Sequence, residues 1–431
     1  MQIERKNDTK KHEVQLVVTL SPQEVAPYLE KSARELSEKS PIKGFRPGAV
    51  GFDIMRKRFG DSVIIEHALE SIVSKTVFDA IKNEALETMG PPRIDIKQAG
   101  DADKPVVYSA VVALVPEVTV VSYNKVSVQK KAVPISEQEI DDVINHIRES
   151  RSQETLVLRV ARKGDKVEVD FSLEVNGVPI EGGEGKKYPF VVGTHQVLPE
   201  FDEHVTGMAA GDEQSFDIQF PLEYFQQELR GKKARARLAL KSVYEMIIPD
   251  LTDEFVAGIQ KDAKTVDEFR GIIQKNISEE KELEENQRCE TEMIESLVKK
   301  SEFSSISPSL IEAEAHRMVH EMEDSIKSRG LKWEDYLSHV KKTENDMIKE
   351  FLPQAEQRFK AGLLIRAVAL QENMNADDAE VEQEISRMIE QYGSLGEEMK
   401  QKITSKSHRD HVKMILRNRK AIEFLKKKII T

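Results

Sequence analysis

One cysteine, Cys289, among 431 residues excludes an internal disulfide, and a chain without bridges suits a reducing compartment. No run approaches the roughly 18 apolar residues that a membrane-spanning helix needs. The opening MQIERKNDTKKH lacks the apolar stretch of a secretion signal, so a cytoplasmic protein with no membrane partner is expected. Aromatic residues are sparse at 6% and apolar residues stop at 39%, while charged residues reach 32% and the mean hydropathy is −0.48. That is enough to fold, but it leaves more surface to water than a compact enzyme of this length would. No repeat of fixed period is present, and the length favours two to four domains.

What is present is acid, unevenly placed. The net charge is −12, yet residues 1–60 carry 12 Lys and Arg against 8 Asp and Glu, a net of +4, which leaves −16 for the rest. A basic head on an acidic body points to an anionic partner for the head.

HEVQLVVTL alternates and is rich in valine, which predicts a strand. Ser21, Pro22 and Glu24 then form a capping box with proline at the first helical position. Val25, Leu29 and Leu36 share one face of that helix, and Ser40-Pro41 ends it. FDIMRKRFG and SVIIEHALESIVSKTVFDAIKNEAL predict helices, the second stopped by GPP at 90–92. RIDIKQ and VVYSAVVALVP predict paired strands, so residues 1–115 make a small α+β unit.

Residues 116–154 predict an extended linker and then a helix, opened by a capping box at Ser136 and Glu139 and facing inward with Ile140, Val143, Ile144 and Ile147. Over 155–245 short alternating strands are separated by glycine-rich turns such as NG and EGGEG, the signature of a β-rich domain. From PDLTDEF onward, over 246–431, the pattern is helical. Thr265 with Glu268 and Ser307-Pro308 mark helix starts, and Gly330 and Gly393 mark stops.

The β-rich segment offers no Ser or Cys beside a His and no phosphate-cradling glycine loop. It offers apolar residues: Phe171, Tyr188, Phe190, Val197, Leu198, Phe201 and Tyr224. By themselves these suit the core of a small β domain. Their order, with the NG turn, FVVGxxQVLPxF, GMxxGD and FPLEYF, resembles an FKBP-type peptidyl-prolyl isomerase domain over about 85 residues. The resemblance implies a proline pocket lined by Phe171, Ile180, Glu181, Phe190, Val197, Leu198, Phe201 and Tyr224. Such a pocket needs no cofactor, because rotation about an X–Pro bond requires neither a nucleophile nor a proton transfer. An apolar cradle with one polar group for the carbonyl can favour the twisted amide over the planar one. The chain departs from the family at Glu200, usually Gly, at Phe201, which is Trp in small free-standing members, at Ile180, usually aromatic, and at Glu181, usually Asp.

IKGFRPGAV, residues 42–50, places an aromatic side chain in a loop between two helices of the basic head. Alone it reads equally as a structural turn. With an inserted FKBP-type domain and a helical tail it resembles the ribosome-docking loop of the bacterial trigger factor family, and the resemblance then extends over the whole chain. It implies contact of Lys43, Gly44, Phe45, Arg46, Pro47 and Gly48 with protein and RNA of the large ribosomal subunit near the peptide exit tunnel. Arg46 would pair with phosphate or carboxylate while Phe45 fills a pocket. Gly51 stands where the family commonly has Pro. Arg56, Lys57 and Arg58 either add charge to this contact or form a solvated helix end.

Nine of the 13 methionines fall in 246–431, including Met318, Met322, Met347, Met374 and Met388. Most suit a helical core, although methionine on half-exposed faces also suits varied apolar partners. His316 with His320 and His408 with His411 lack the further ligands of a zinc site, so no metal is expected. The resemblance implies an α+β multidomain fold with a small α+β head, an inserted FKBP-like β-rich domain and an all-α C-terminal region. It implies an ATP-independent chaperone that holds nascent and unfolded polypeptides, isomerises X–Pro bonds and assists protein export, and it leaves a homodimer off the ribosome open. The alternative is a ribosome-bound holdase whose isomerase domain binds but barely turns over.

Overall fold

The computed structural model describes residues 1–39, 48, 50–101, 103–195, 197–224, 226, 229–391 and 403–431, without the side chains of Glu181 and Gln391. Lys43, Gly44, Phe45, Arg46 and Pro47 of the expected docking loop, the expected helix stop Ser40-Pro41 and Gly393 lie outside the described residues. Gly48 is described, with φ +79°, a left-handed conformation that glycine adopts without strain. The chain divides into two compact units, one of residues 1–130 with 286–431 and the other of residues 131–285.

In the first unit the chain begins with β1 (Gln2–Asp8) and β2 (Glu13–Leu20), followed by α1 (Pro22–Lys39), α2 (Phe52–Phe59), α3 (Asp61–Asn83), β3 (Thr88–Gln98) and β4 (Val106–Leu114). The four strands form an antiparallel sheet in the order β1-β2-β4-β3. Val14, Leu16, Val18 and Leu20 of β2 are buried at every second position, the period that turns one face of a strand inward. They pack in one cluster with Val25 and Leu29 of α1 and Ile64, Ile65, Ile72 and Val77 of α3. Tyr108 on β4 is buried among them and its hydroxyl meets Thr76 Oγ1 at 2.7 Å. At the start of α1 the Glu24 carboxylate accepts from the Ser21 N–H at 2.9 Å and from its hydroxyl at 3.0 Å.

Two expectations for this region are corrected. GPP at 90–92 does not stop α3 but lies within β3. The helix instead closes at Asn83, where the Leu86 N–H donates back to the Ile81 carbonyl and Ala85 takes φ +50°, a left-handed helix stop. Prolines fit β3 because it is the edge of the sheet and its register is interrupted between Met89 and Arg93. The opening MQIERKND, read only as lacking a secretion signal, is β1, a strand exposed along nearly its whole length and paired to β2.

The chain continues through β5 (Val118–Thr119) and a 3₁₀ turn at Tyr123–Lys125 before the second unit. That unit contains α4 (Glu137–Ser150), β6 (Gln153–Leu156), β7 (Lys166–Val175), β8 (Val178–Val191), α5 (Pro199–Val205), β9 (Glu213–Gln219), β10 (Lys233–Ile247) and α6 (Asp253–Ile259). The capping box of α4 is complete at both Ser136 and Glu139. Ile140 and Ile144 pack with Val256, Phe269 and Ile273, and Ile147 lies partly buried beside them. Val143, expected inward, is 36% exposed, because it sits at the edge of the buried stripe, about 100° around the helix from Ile144. The strands run antiparallel in the order β6-β10-β7-β8, with β9 also on β10. Asn176 and Gly177 join β7 to β8 with φ of +54° and +80°, the left-handed pair of a two-residue hairpin turn.

A long helix, α7 (Val266–Lys300), opens on the expected Thr265 and Glu268 box, the Glu268 N–H donating to Thr265 Oγ1 at 3.2 Å. It is followed by β11 (Glu302–Phe303), α8 (Pro308–Ser328), α9 (Trp333–Val340), α10 (Glu344–Gln371), α11 (Asp378–Gln391) and α12 (Lys406–Ile429). The tail is helical apart from the two-residue β11, which pairs with β5. Cys289, Met293, Leu297, Leu364, Val368 and Leu425 form one buried cluster. Met318 and Met347 are buried in another with Trp333 and Ile348, so most of the tail's described methionines are core. Among the described residues no helix is long and apolar enough to cross a membrane.

Candidate active site

The residues expected to line the proline pocket fall in one apolar cluster of the β-rich domain, contributed mainly by β7, β8, α5, β9 and β10. Val167, Val169, Phe190, Leu198, Phe201, Phe216, Ile218 and Leu238 are buried in one cluster. Phe171, Ile180, Val197 and Tyr224 pack against the same cluster while remaining partly exposed. The structure thus brings together all the described pocket residues expected from sequence, with Phe190, Leu198 and Phe201 beneath and the other four toward solvent.

Phe201, only 1% exposed, occupies the first turn of α5, which starts with Pro199 at its N-terminus. Its ring meets Phe171 edge to face at 5.7 Å and Phe216 at 5.4 Å, and Phe171 meets Tyr188 at 5.6 Å. Edge-to-face pairs of this kind add about 0.5–1.5 kcal/mol each beyond burial. Tyr188, 42% exposed, extends this aromatic row to the surface. Sequence places it among the aromatics of the segment but not among the pocket residues. Phe220 and Tyr224 rings lie 4.7 Å apart. Burial pushes the Tyr224 phenol above its usual pKa, so at neutral pH it keeps its O–H.

Two acidic residues hold the strands and loops that carry this row, and sequence patterns do not reveal them. Asp202 on α5 is buried and accepts from the N–H groups of Gly193 at 2.8 Å and His195 at 3.0 Å, with the His195 Nδ1 at 2.9 Å. These bonds fix a loop in which Gly193 and His195 both take positive φ, just before Val197. Asp170, beside Phe171, accepts from the Lys187 N–H at 2.7 Å and sits 3.3 Å from Lys241 Nζ. The Lys187 bond, followed by the lysine charge, holds its carboxyl below the usual range although burial opposes this. Asp202 takes its donors from the 193–195 loop and Asp170 from β8 and β10, so only the tertiary fold brings them together. Glu200, at the family's glycine position, accepts weakly from the Gln219 N–H at 3.3 Å.

The chemistry available here is conformational. An X–Pro peptide bond resists rotation by about 18–20 kcal/mol because twisting destroys amide resonance. Apolar walls around a proline ring and a neutral hydroxyl nearby can stabilise the twisted amide without bond making. Among the described residues no three His, Cys, Asp or Glu side chains converge as a metal site.

Comparison with known proteins agrees with this geometry. Residues 159–243 match the model of the FKBP-type peptidyl-prolyl cis-trans isomerase. Residues 1–147 match the model described as bacterial trigger factor protein, and residues 265–427 match that of its C-terminus. The chain is 29% identical over 422 residues to the trigger factor of Carboxydothermus hydrogenoformans, covering 97% of each chain. It is 28% identical over 411 residues to that of Caldicellulosiruptor saccharolyticus, covering 95% of this chain and 92% of the relative. A solved trigger factor chaperone aligns over 99% of both chains at 19% identity with a TM-score of 0.44; the assignment rests on the sequence matches. With trigger factor models on both flanks of an isomerase model, the protein belongs to the bacterial trigger factor family of chaperones and carries an FKBP-type peptidyl-prolyl cis-trans isomerase domain.

Proposed function

We propose that the protein is a cytoplasmic, ATP-independent chaperone that docks on the large ribosomal subunit near the exit tunnel and meets nascent chains there. The work divides among a ribosome-binding head of residues 1–115, a connecting segment of 116–154, an isomerase domain of 155–245 and a helical chaperone region of 246–431. Docking falls to Lys43, Gly44, Phe45, Arg46, Pro47 and Gly48. Arg46 pairs with phosphate or carboxylate, and Phe45 anchors in an apolar pocket. Isomerisation falls to Phe171, Ile180, Glu181, Phe190, Val197, Leu198, Phe201 and Tyr224. Off the ribosome the chain would form a homodimer.

The observation that carries the isomerase reading is the half-exposed Phe171 ring standing edge-on over buried Phe201. A proline ring can rest on that floor while the Tyr224 hydroxyl faces the amide carbonyl. Ile180 in place of an aromatic narrows the gripping surface and favours a second reading, in which the domain binds proline segments with little turnover.

One paired experiment tests these assignments. The full chain should cosediment with ribosomes and accelerate cis–trans exchange of an X–Pro peptide. Phe45→Ala with Arg46→Ala should abolish cosedimentation and leave peptide exchange unchanged. Cosedimentation that survives at physiological salt would overturn the docking loop, and peptide binding without acceleration would favour the second reading.

A further inference from the structure

Val197 and Leu198 reach the pocket at the end of a short connection that follows β8. Two residues of this connection are left-handed, Gly193 at φ +90° and His195 at φ +56°. Glycine suits the first position twice over, because a Cβ built there would also meet Lys163 Cγ at 2.7 Å. His195 has no such freedom. A side chain in this conformation carries strain, which persists only where the surroundings hold the backbone in place.

The holders are two buried carboxylates that act on neighbouring parts of the connection. Asp202, 6% exposed on α5, uses its oxygens separately. Oδ1 accepts from the Gly193 N–H at 2.8 Å, and Oδ2 accepts from the His195 N–H at 3.0 Å and lies 2.9 Å from His195 Nδ1. Both oxygens must therefore accept, which a carboxylate does and an amide of the same shape does not. Asp165, 4% exposed, takes the Arg159 guanidinium as a fork at 2.5 and 2.9 Å and the Arg162 N–H at 2.9 Å. Its backbone carbonyl accepts from the Val192 N–H at 2.9 Å, while the Gly164 N–H donates to the Val192 carbonyl at 2.9 Å. Val192 is thus gripped from the 164–165 turn, and Gly193 and His195 from α5.

We propose that Asp202 and Asp165 are positioning residues for the isomerisation, clamping residues 192–195 so that Val197 and Leu198 stand as fixed walls of the proline pocket. The proposal rests on the pocket assignment and adds residues outside the pocket that make it work. Neither carboxylate needs to touch the peptide; each acts through the backbone it holds. Phe171 and Phe201 belong to β7 and α5 and make their ring contact without the clamp, so a proline ring keeps its floor when the clamp is lost. What is lost is a wall held in advance in the geometry that the twisted amide requires. The clamp therefore governs turnover more than binding.

The test follows cis–trans exchange of an X–Pro peptide by the full chain at a series of peptide concentrations. Asp202→Asn should lower kcat about tenfold and leave KM within about twofold. Amides of residues 192–195 should exchange faster by mass spectrometry, and those of β10 should not change. Asp202→Glu keeps two acceptor oxygens and should retain several-fold more kcat than Asp202→Asn. Adding His195→Gly to Asp202→Asn should restore most of the lost kcat, because glycine takes a left-handed φ without a carboxylate to hold it. A carboxylate that served stability alone would not be replaced in this way, since glycine adds freedom to the unfolded chain. Asp165→Asn should lower kcat at constant KM without rescue by His195→Gly, and it reads the same split should Asp202→Asn fail to fold. An active chain indifferent to both aspartates, or a loss that glycine at 195 does not repair in Asp202→Asn, would overturn the proposal alone. An unmodified chain that does not accelerate exchange would overturn the pocket reading and the proposal together.

Discussion

The Phe171 ring crosses the backbone of Gly185 so closely that a Cβ built at Gly185 would meet its Cε1 at 2.4 Å. The two residues are paired across β7 and β8, so the strand cannot move away without breaking the hairpin. Glycine at 185 is therefore what seats the ring over Phe201. Gly185→Ala should displace Phe171 at an overpacking cost of about 1–3 kcal/mol, and lower kcat/KM for an X–Pro peptide by about tenfold. Far-ultraviolet circular dichroism should be unchanged. Full activity in the variant would show that Phe171 is not part of the working surface.

Phe201 answers differently because it is core as well as floor. Phe201→Ala should destabilise the isomerase domain by about 3–5 kcal/mol, the usual range for truncating a buried phenylalanine. Lost activity in that variant would then report unfolding. Phe201→Leu keeps most of the volume and removes the edge-to-face contacts with Phe171 and Phe216. It should fold, by urea titration, and still lose peptide isomerisation.

Glu13, 5% exposed at the start of β2, accepts from Ser307 Oγ at 2.6 Å and from Arg93 Nη2 at 2.9 and 3.1 Å. Ser307 is also the N-cap of α8, accepting from the Ser309 N–H at 3.2 Å. Ser307→Ala removes a cap worth about 1 kcal/mol and a donor to a buried carboxylate. Hydrogen exchange of the first-turn amides of α8 should speed up at least tenfold, and that of α10 should not change. Unaltered exchange would mean that Pro308 and Arg93 alone hold this end.

Glu139 has its carboxyl pulled from the ordinary 4.5 to about 2, first by the hydrogen bond from Lys281 and then by the Ser136 N–H and hydroxyl. A folded-state pKa lowered in this way supplies stability that is complete above about 4.5 and lost as pH falls toward 2. The anchorage of α4 on α7 should therefore weaken across that window. Glu139→Gln should flatten the pH dependence there, read by exchange of the α4 amides, and have its full cost already at neutral pH. A window unchanged by the substitution would assign the acid sensitivity to other carboxylates.

Features that depend on neighbours in sequence were legible directly. The alternation in β2, the boxes at Ser136–Glu139 and Thr265–Glu268 and the Asn176–Gly177 turn all form within a few residues. They are set by side-chain period, by local donors and by the freedom of two residues to take positive φ. The gathering of Phe171, Phe190, Phe201 and Tyr224 was legible too, though through a motif order that resembles a known domain rather than through periodicity.

Tertiary structure alone decided the rest. β1 has no apolar alternation and is a strand because β2 offers it a free edge of hydrogen-bonding groups. GPP lies in a strand because β3 is at the sheet edge, where a missing N–H costs nothing. Val143 fits an inward face by its residue type and spacing, but the packing centred on Ile140 and Ile144 leaves it at the uncovered edge of the stripe. Asp202 is an ordinary helix residue until the 193–195 loop folds its N–H groups onto the carboxylate. Arg366 and Arg417 are about fifty residues apart and line one cavity only because α10 packs against α12. Local order follows from bonds a chain can make with its near neighbours, whereas the sign of a groove's charge depends on which distant helices share its walls.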